Sequence, residues 1–142
     1  MKFNSQICTT RDQSERLLAL GLKKETADMG WGYILLGDRK REWIEVAFPM
    51  EEHSERSLPA WSLHRLWELL PKSIWHDNGL EKKYHPIIEY DFVNYVTTDG
   101  MELFDLNYWK DIWESMISCI EWLIKEGYFN KEYLEDDLSR NG

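Results

Sequence analysis

A chain of 142 residues and 17.1 kDa is the size of one ordinary domain, and it buries enough surface on folding to build a core without disulfide staples. Hydrophobic residues at 43% and charged residues at 30% describe a globular chain and exclude a disordered one. Seventeen basic against 26 acidic side chains leave a net charge of −9, a sign that repels a phosphate backbone, so direct nucleic-acid binding is not expected. The longest apolar runs, such as Tyr33–Leu36, are too short to cross a bilayer, so no membrane association is expected. Met1-Lys2-Phe3-Asn4-Ser5-Gln6 lacks the apolar stretch of a secretory signal, which points to the cytoplasm. There Cys8 and Cys119 stay reduced. Neither belongs to a C-x-x-C pair or has a His at ligand spacing, so both read as small buried hydrophobes, and neither a metal nor a cofactor is expected.

In chain order, Thr10 and Gln13 form a capping box that opens a helix over Arg11–Leu20. Gly21 closes it in the left-handed conformation, with Leu22 folding back on Leu17. Trp31–Leu36 and Glu42–Phe48 are aromatic and β-branched enough for two strands, joined by the polar turn Gly37–Arg41. Met50–Leu58 reads as a surface loop. Pro59-Ala60-Trp61-Ser62 then starts a short helix, with Ser62 as its cap, Trp61 stapled to Leu66, and Pro71 as its stop. His76-Asp77-Asn78-Gly79 reads as a polar turn, and Ile87–Val96 as a third strand. Thr98-Asp99-Gly100 turns Met101–Phe104 back as a fourth. Asn107 caps a long helix, Tyr108 to Glu126, closed by Gly127. Asn130 caps a further short helix to about Leu138. The sum is a single α+β domain: an antiparallel sheet of about four strands with three helices, the long C-terminal one on one face. Residues 128–142 form a partly ordered acidic C-terminal segment.

One residue of the long helix is out of place. Trp109, Ile112, Trp113, Met116, Ile117, Ile120, Leu123 and Ile124 project to one side. Lys110, Asp111, Glu114, Ser115, Ser118, Glu121 and Lys125 project to the other. Trp122 falls inside the polar arc, between Asp111 and Ser115 with Ser118 a turn earlier. Either the segment around Tyr128, Phe129 or Tyr133 folds over it, or it contacts a partner, as tryptophans at interface hot spots do. On the second reading the partner-binding residues are Trp122, Asp111, Ser115 and Ser118. Charge is also uneven. Residues 72–142 hold seven basic and fifteen acidic side chains, against ten and eleven in residues 1–71. Such a surface either keeps the protein dissolved, or attracts a basic partner or imitates DNA.

Signatures of catalysis are missing: there is no G-x-G-x-x-G, P-loop, H-E-x-x-H or G-x-S-x-G. His76 and Asp77 with His85 are the one local group of catalytic residue types. They could supply an acid–base pair if the fold brought them together. His64 and Glu68 are four apart on a helix surface, where they stabilise each other by a few tenths of a kcal/mol.

Three stretches are familiar together. They are Leu17-Leu18-Ala19-Leu20-Gly21-Leu22 running on to Thr26-Ala27-Asp28-Met29, Leu58-Pro59-Ala60-Trp61-Ser62-Leu63 running on to Leu69-Leu70-Pro71, and Trp122-Leu123-Ile124-Lys125-Glu126-Gly127-Tyr128. On these the chain resembles a family of small proteins of gut anaerobes, often carried in prophage or conjugative elements, for which no activity is established. The resemblance implies a mobile-element setting and no reaction. The expectation is therefore a non-enzymatic acidic module that binds a protein partner. A small enzyme built on His76, Asp77 and His85, or a homodimer that buries Trp122, are the alternatives.

Overall fold

Among the described residues, three α-helices and six strands, arranged as two three-stranded antiparallel sheets, make the fold α+β. The structure is a computed structural model and describes residues 5–35, 37, 40–47, 57–77, 79–89, 91–104 and 111–136. The expected single sheet of about four strands is corrected to two sheets of three. The chain divides into two compact units, Met1–Glu68 with Tyr133–Gly142, and Leu69–Glu132. No helix among the described residues is long and apolar enough to cross a membrane.

In the first unit, helix α1 spans Arg11–Ala19 behind the expected capping box. Thr10 Oγ1 accepts from the Gln13 N–H, and Gln13 Oε1 accepts from the Thr10 N–H. At its exit Gly21 has φ 102°, a conformation that costs a residue with a Cβ about 1–2 kcal/mol. The Gly21 N–H bonds to the Leu18 carbonyl and the Leu22 N–H to the Leu17 carbonyl, so these last carbonyls are satisfied, and Leu17 and Leu22 are buried. Strands β1 (Met29–Leu35), β2 (Arg41–Val46) and β3 (Ser57–Ala60) form the sheet, with β1 in the centre.

Strand β3 replaces the helix start expected at Pro59-Ala60. Proline fits there because β3 is an edge strand, where its missing N–H removes no ladder bond. Trp61 is more than a staple. It is fully buried, its backbone pairs with Thr9, and its indole Nε1 donates to Thr26 Oγ1 at 2.9 Å. Asp28 receives both the backbone N–H and the hydroxyl of Ser62. Ser62 Oγ in turn accepts from the Arg65 N–H at 3.1 Å, capping helix α2 (Leu63–Leu69) as expected. His64 and Glu68 approach to 3.7 Å on its exposed side. The short helix expected from Asn130 to Leu138 is instead a single 3-10 turn at Lys131–Tyr133. It is followed by pairing of Leu134 with Leu22, and residues 137–142 lie outside the described residues.

The second unit carries strands β4 (Ile74–Asp77), β5 (Glu81–Glu89) and β6 (Phe92–Val96), in that order, and helix α3 (Ile112–Lys125). Two expectations are corrected here. The single strand over Ile87–Val96 is a hairpin in which Glu89 pairs with Phe92, a reversal that no glycine announces. The turn expected to start at His76 starts two residues later, after Asp77. His76 lies in β4 opposite Lys82, and the reversal is at Gly79, φ 102°, whose N–H bonds to Asp77 Oδ1 at 3.0 Å.

Helix α3 is capped by Asp111, whose Oδ1 accepts from the Glu114 N–H at 2.9 Å. The expected cap, Asn107, and Tyr108 lie outside the described residues. The helix packs on β6 and buries Trp113, Met116, Ile117, Cys119, Ile120 and Leu123. Tyr95, fully buried, donates its hydroxyl to the Pro71 carbonyl at 2.7 Å.

Candidate functional site

Trp122 is the residue around which the second unit's surface is organised. Helix α3 ends as α1 does: Gly127 has φ 80°, its N–H bonds to the Ile124 carbonyl, and the Tyr128 N–H bonds to the Leu123 carbonyl at 2.9 Å. That geometry turns the chain back along the helix. It lays the Tyr128 ring on Trp122, with centroids 5.6 Å apart and planes 29° apart. The Tyr128 hydroxyl lies 2.8 Å from His76 Nδ1, and the His76 ring meets Trp122 edge-on at 5.3 Å. On β5, Tyr84 faces His76 edge-on at 6.4 Å. Tyr128 keeps its proton above the ordinary phenol range, first because of burial and then because Glu126 and Glu81 disfavour the phenolate. A neutral phenol beside an imidazole is a stable hydrogen-bonded pair.

Phe104 also meets Trp122 edge-on, with centroids 5.2 Å apart and planes at 89°. Its position is fixed by Asn94. That side chain is fully buried, accepts from the Phe104 N–H at 3.0 Å and donates to the Phe104 carbonyl at 3.2 Å. An amide that gives and takes one bond each imitates a neighbouring strand. With the Leu103 N–H bonded to the Tyr95 carbonyl, it anchors the segment that the hairpin turn sends back. The expected strand over Met101–Phe104 is thus reduced to a bridge, Val96 with Glu102. Asn94 carried a signal in the sequence, since an amide inside Phe92–Val96 is a polar group in an apolar strand and needs a partner.

Between these rings and the helix lies an open pocket of about 210 Å³, lined by Phe104, Ser118, Glu121, Trp122 and Lys125. Trp122 is half-buried: neither alternative for it is complete, because Tyr128 covers it and the pocket still reaches it. Of the residues expected to bind a partner, the pocket brings together Trp122 and Ser118 only. Asp111 is exposed but caps the far end of α3, about 16 Å along the axis. Ser115 is corrected outright. It has no exposure, because its hydroxyl accepts from the Val93 N–H at 2.8 Å and thereby satisfies the open edge of β6.

His76, Asp77 and His85 do not converge. Asp77 is the next residue after His76 on β4, and its carboxylate is spent on the Gly79 turn. His85 follows Tyr84 on β5, and alternation along a strand sends it to the opposite face. Among the described residues no group of three His, Cys, Asp or Glu is placed to hold a metal ion. Both cysteines are buried and free. Burial, with Glu45 and Asp28 adding, pushes the Cys8 thiol up to about 11, and burial raises Cys119 as well. Neither thiol is poised as a nucleophile at neutral pH. No protein-family model, curated protein or solved structure matches the chain.

Proposed function

We propose that this chain is a non-enzymatic acidic interaction module of the cytoplasm, which docks a protein partner at the Phe104–Trp122 pocket on α3. The observation that carries the reading is the half-buried Trp122. Three neighbouring rings, His76, Phe104 and Tyr128, hold it in place while it still walls an open pocket. A rigid aromatic anchor beside polar rim groups is the pattern of interface hot spots, since little conformational freedom is lost when a partner binds. The pocket is smaller than the roughly 300–1,000 Å³ typical of small-molecule sites, which favours a single side chain of a larger partner. The partner is a protein and not nucleic acid, in keeping with the charge of −9. The resemblance noted above suggests an accessory role in a mobile element.

The test is capture from a nuclease-treated lysate of the native cell, using the tagged chain beside its Ser118→Arg variant. Arginine is a good helix former, and at position 118 it fills the pocket while leaving the helix intact. A stoichiometric protein held by the wild type and lost by Ser118→Arg supports the reading. A partner held equally by both would place docking elsewhere. If no protein is held and light scattering gives a dimer, self-association replaces it.

A further inference from the structure

Resting on that docking reading, we propose that the pocket receives an arginine side chain from a basic segment of the partner. Trp122 and Phe104 line it with their ring centroids 5.2 Å apart, and the acidic residue Glu121 lines it with them. A planar cation suits both features, because a guanidinium packs on aromatic rings and bonds a carboxylate through two N–H groups at once. A lysine ammonium is more strongly hydrated and lacks the planar fork. The chain already uses this chemistry elsewhere, where the Arg11 guanidinium sits 4.9 Å from the centre of the Trp43 ring.

The surrounding charge has the matching sign. Residues 69–132 contain twelve acidic and six basic side chains, and Glu81 and Glu126 both act on Tyr128, the ring stacked on Trp122. Among the described residues Lys125 is the one cation lining the pocket. It stands a full turn beyond Glu121 and is exposed, so its ammonium is free to turn to water when a cation enters.

The experiment titrates the isotope-labelled chain with four capped tripeptides, Gly-Xaa-Gly with Xaa arginine, lysine, leucine or glutamate, and follows the amide signals of Phe104, Ser118, Glu121, Trp122 and Lys125. The arginine peptide should shift these signals saturably, with affinity on the order of tens of millimolar for one exposed cation–aromatic contact and one exposed ion pair together. The lysine peptide should bind several-fold more weakly. Glu121→Gln should weaken the arginine peptide roughly fivefold, the size of one exposed ion pair, and Ser118→Arg should abolish the response by supplying its own guanidinium. A leucine peptide that binds as well as arginine, or an arginine response unchanged in Glu121→Gln, overturns the proposal but leaves the docking reading standing. No response to any of the four peptides also overturns it. The docking reading is decided separately, by the lysate capture with Ser118→Arg.

Discussion

Replacing Ser115 by alanine separates the surface position implied by helical projection from the buried one observed. The hydroxyl has no solvent exposure. Its oxygen accepts from the Val93 N–H at 2.8 Å and lies 3.4 Å from the Val93 carbonyl. Alanine leaves that N–H buried at the edge of β6 without an acceptor, a penalty of about 1–3 kcal/mol. The better helix propensity of alanine returns only about 0.5 kcal/mol. A net loss of about 0.5–2.5 kcal/mol should appear in urea unfolding followed by tryptophan fluorescence, and the Val93 amide should exchange with solvent faster. Cysteine, close in size but a weaker acceptor, should fall between serine and alanine. At an exposed site the change would stay within about 0.5 kcal/mol. A loss that small, with Val93 protection unchanged, would refute the buried bond and return Ser115 to the surface.

Trp122→Ala removes a half-buried indole and its three ring contacts, and should cost about 2 kcal/mol in the same assay. A cost under about 0.5 kcal/mol would mean that the rings do not cover it. Thr10→Ala deletes the acceptor for the Gln13 N–H and should cost about 1 kcal/mol, with no change expected at the pocket. Because the Cys8 thiol rises from 9.0 unfolded to about 11 folded, the stability linked to it is complete below pH 9 and declines as pH climbs from 9 to 11. Urea unfolding at pH 8 and at pH 10.5 should show a larger alkaline loss for the wild type than for Cys8→Ala. Equal losses would contradict the shift. The raised Tyr128 value acts in the same direction, above the ordinary phenol value of 10.0.

Short-range signals were legible in the sequence, because helix ends are set by residues a few positions apart. Thr10 with Gln13, Gly21, Ser62 and Gly127 all stand where cap chemistry puts them. The displaced Trp122 was legible for the same reason, since helical projection needs only a constant angle per residue. Pairing between strands was not. Strand β4 is four residues long and ends in turn-forming residues, so its polar letters outweigh its pairing with β5. The hairpin between β5 and β6 has no glycine to mark it. Side chains that imitate backbone were missed as well. Ser115 looks like a surface residue by type, and the amide of Asn94 signals only that it needs a partner; the partners themselves, the Val93 N–H for Ser115 and Phe104 for Asn94, are distant in sequence and no spacing rule encodes them. The pocket depends on both kinds of information, since α3 supplies Ser118, Glu121, Trp122 and Lys125 while Phe104 reaches it only through Asn94.

The affinity of the captured partner for the wild type and for Ser118→Arg, measured by isothermal titration calorimetry on proteins of matched stability, bears most closely on the role of this surface. If the Phe104–Trp122 pocket is the centre of the interface, filling it should weaken binding by at least roughly 30-fold, the loss that marks a hot spot of about 2 kcal/mol. Equal affinities for the two proteins would contradict the assignment and leave the pocket without a role in recognition.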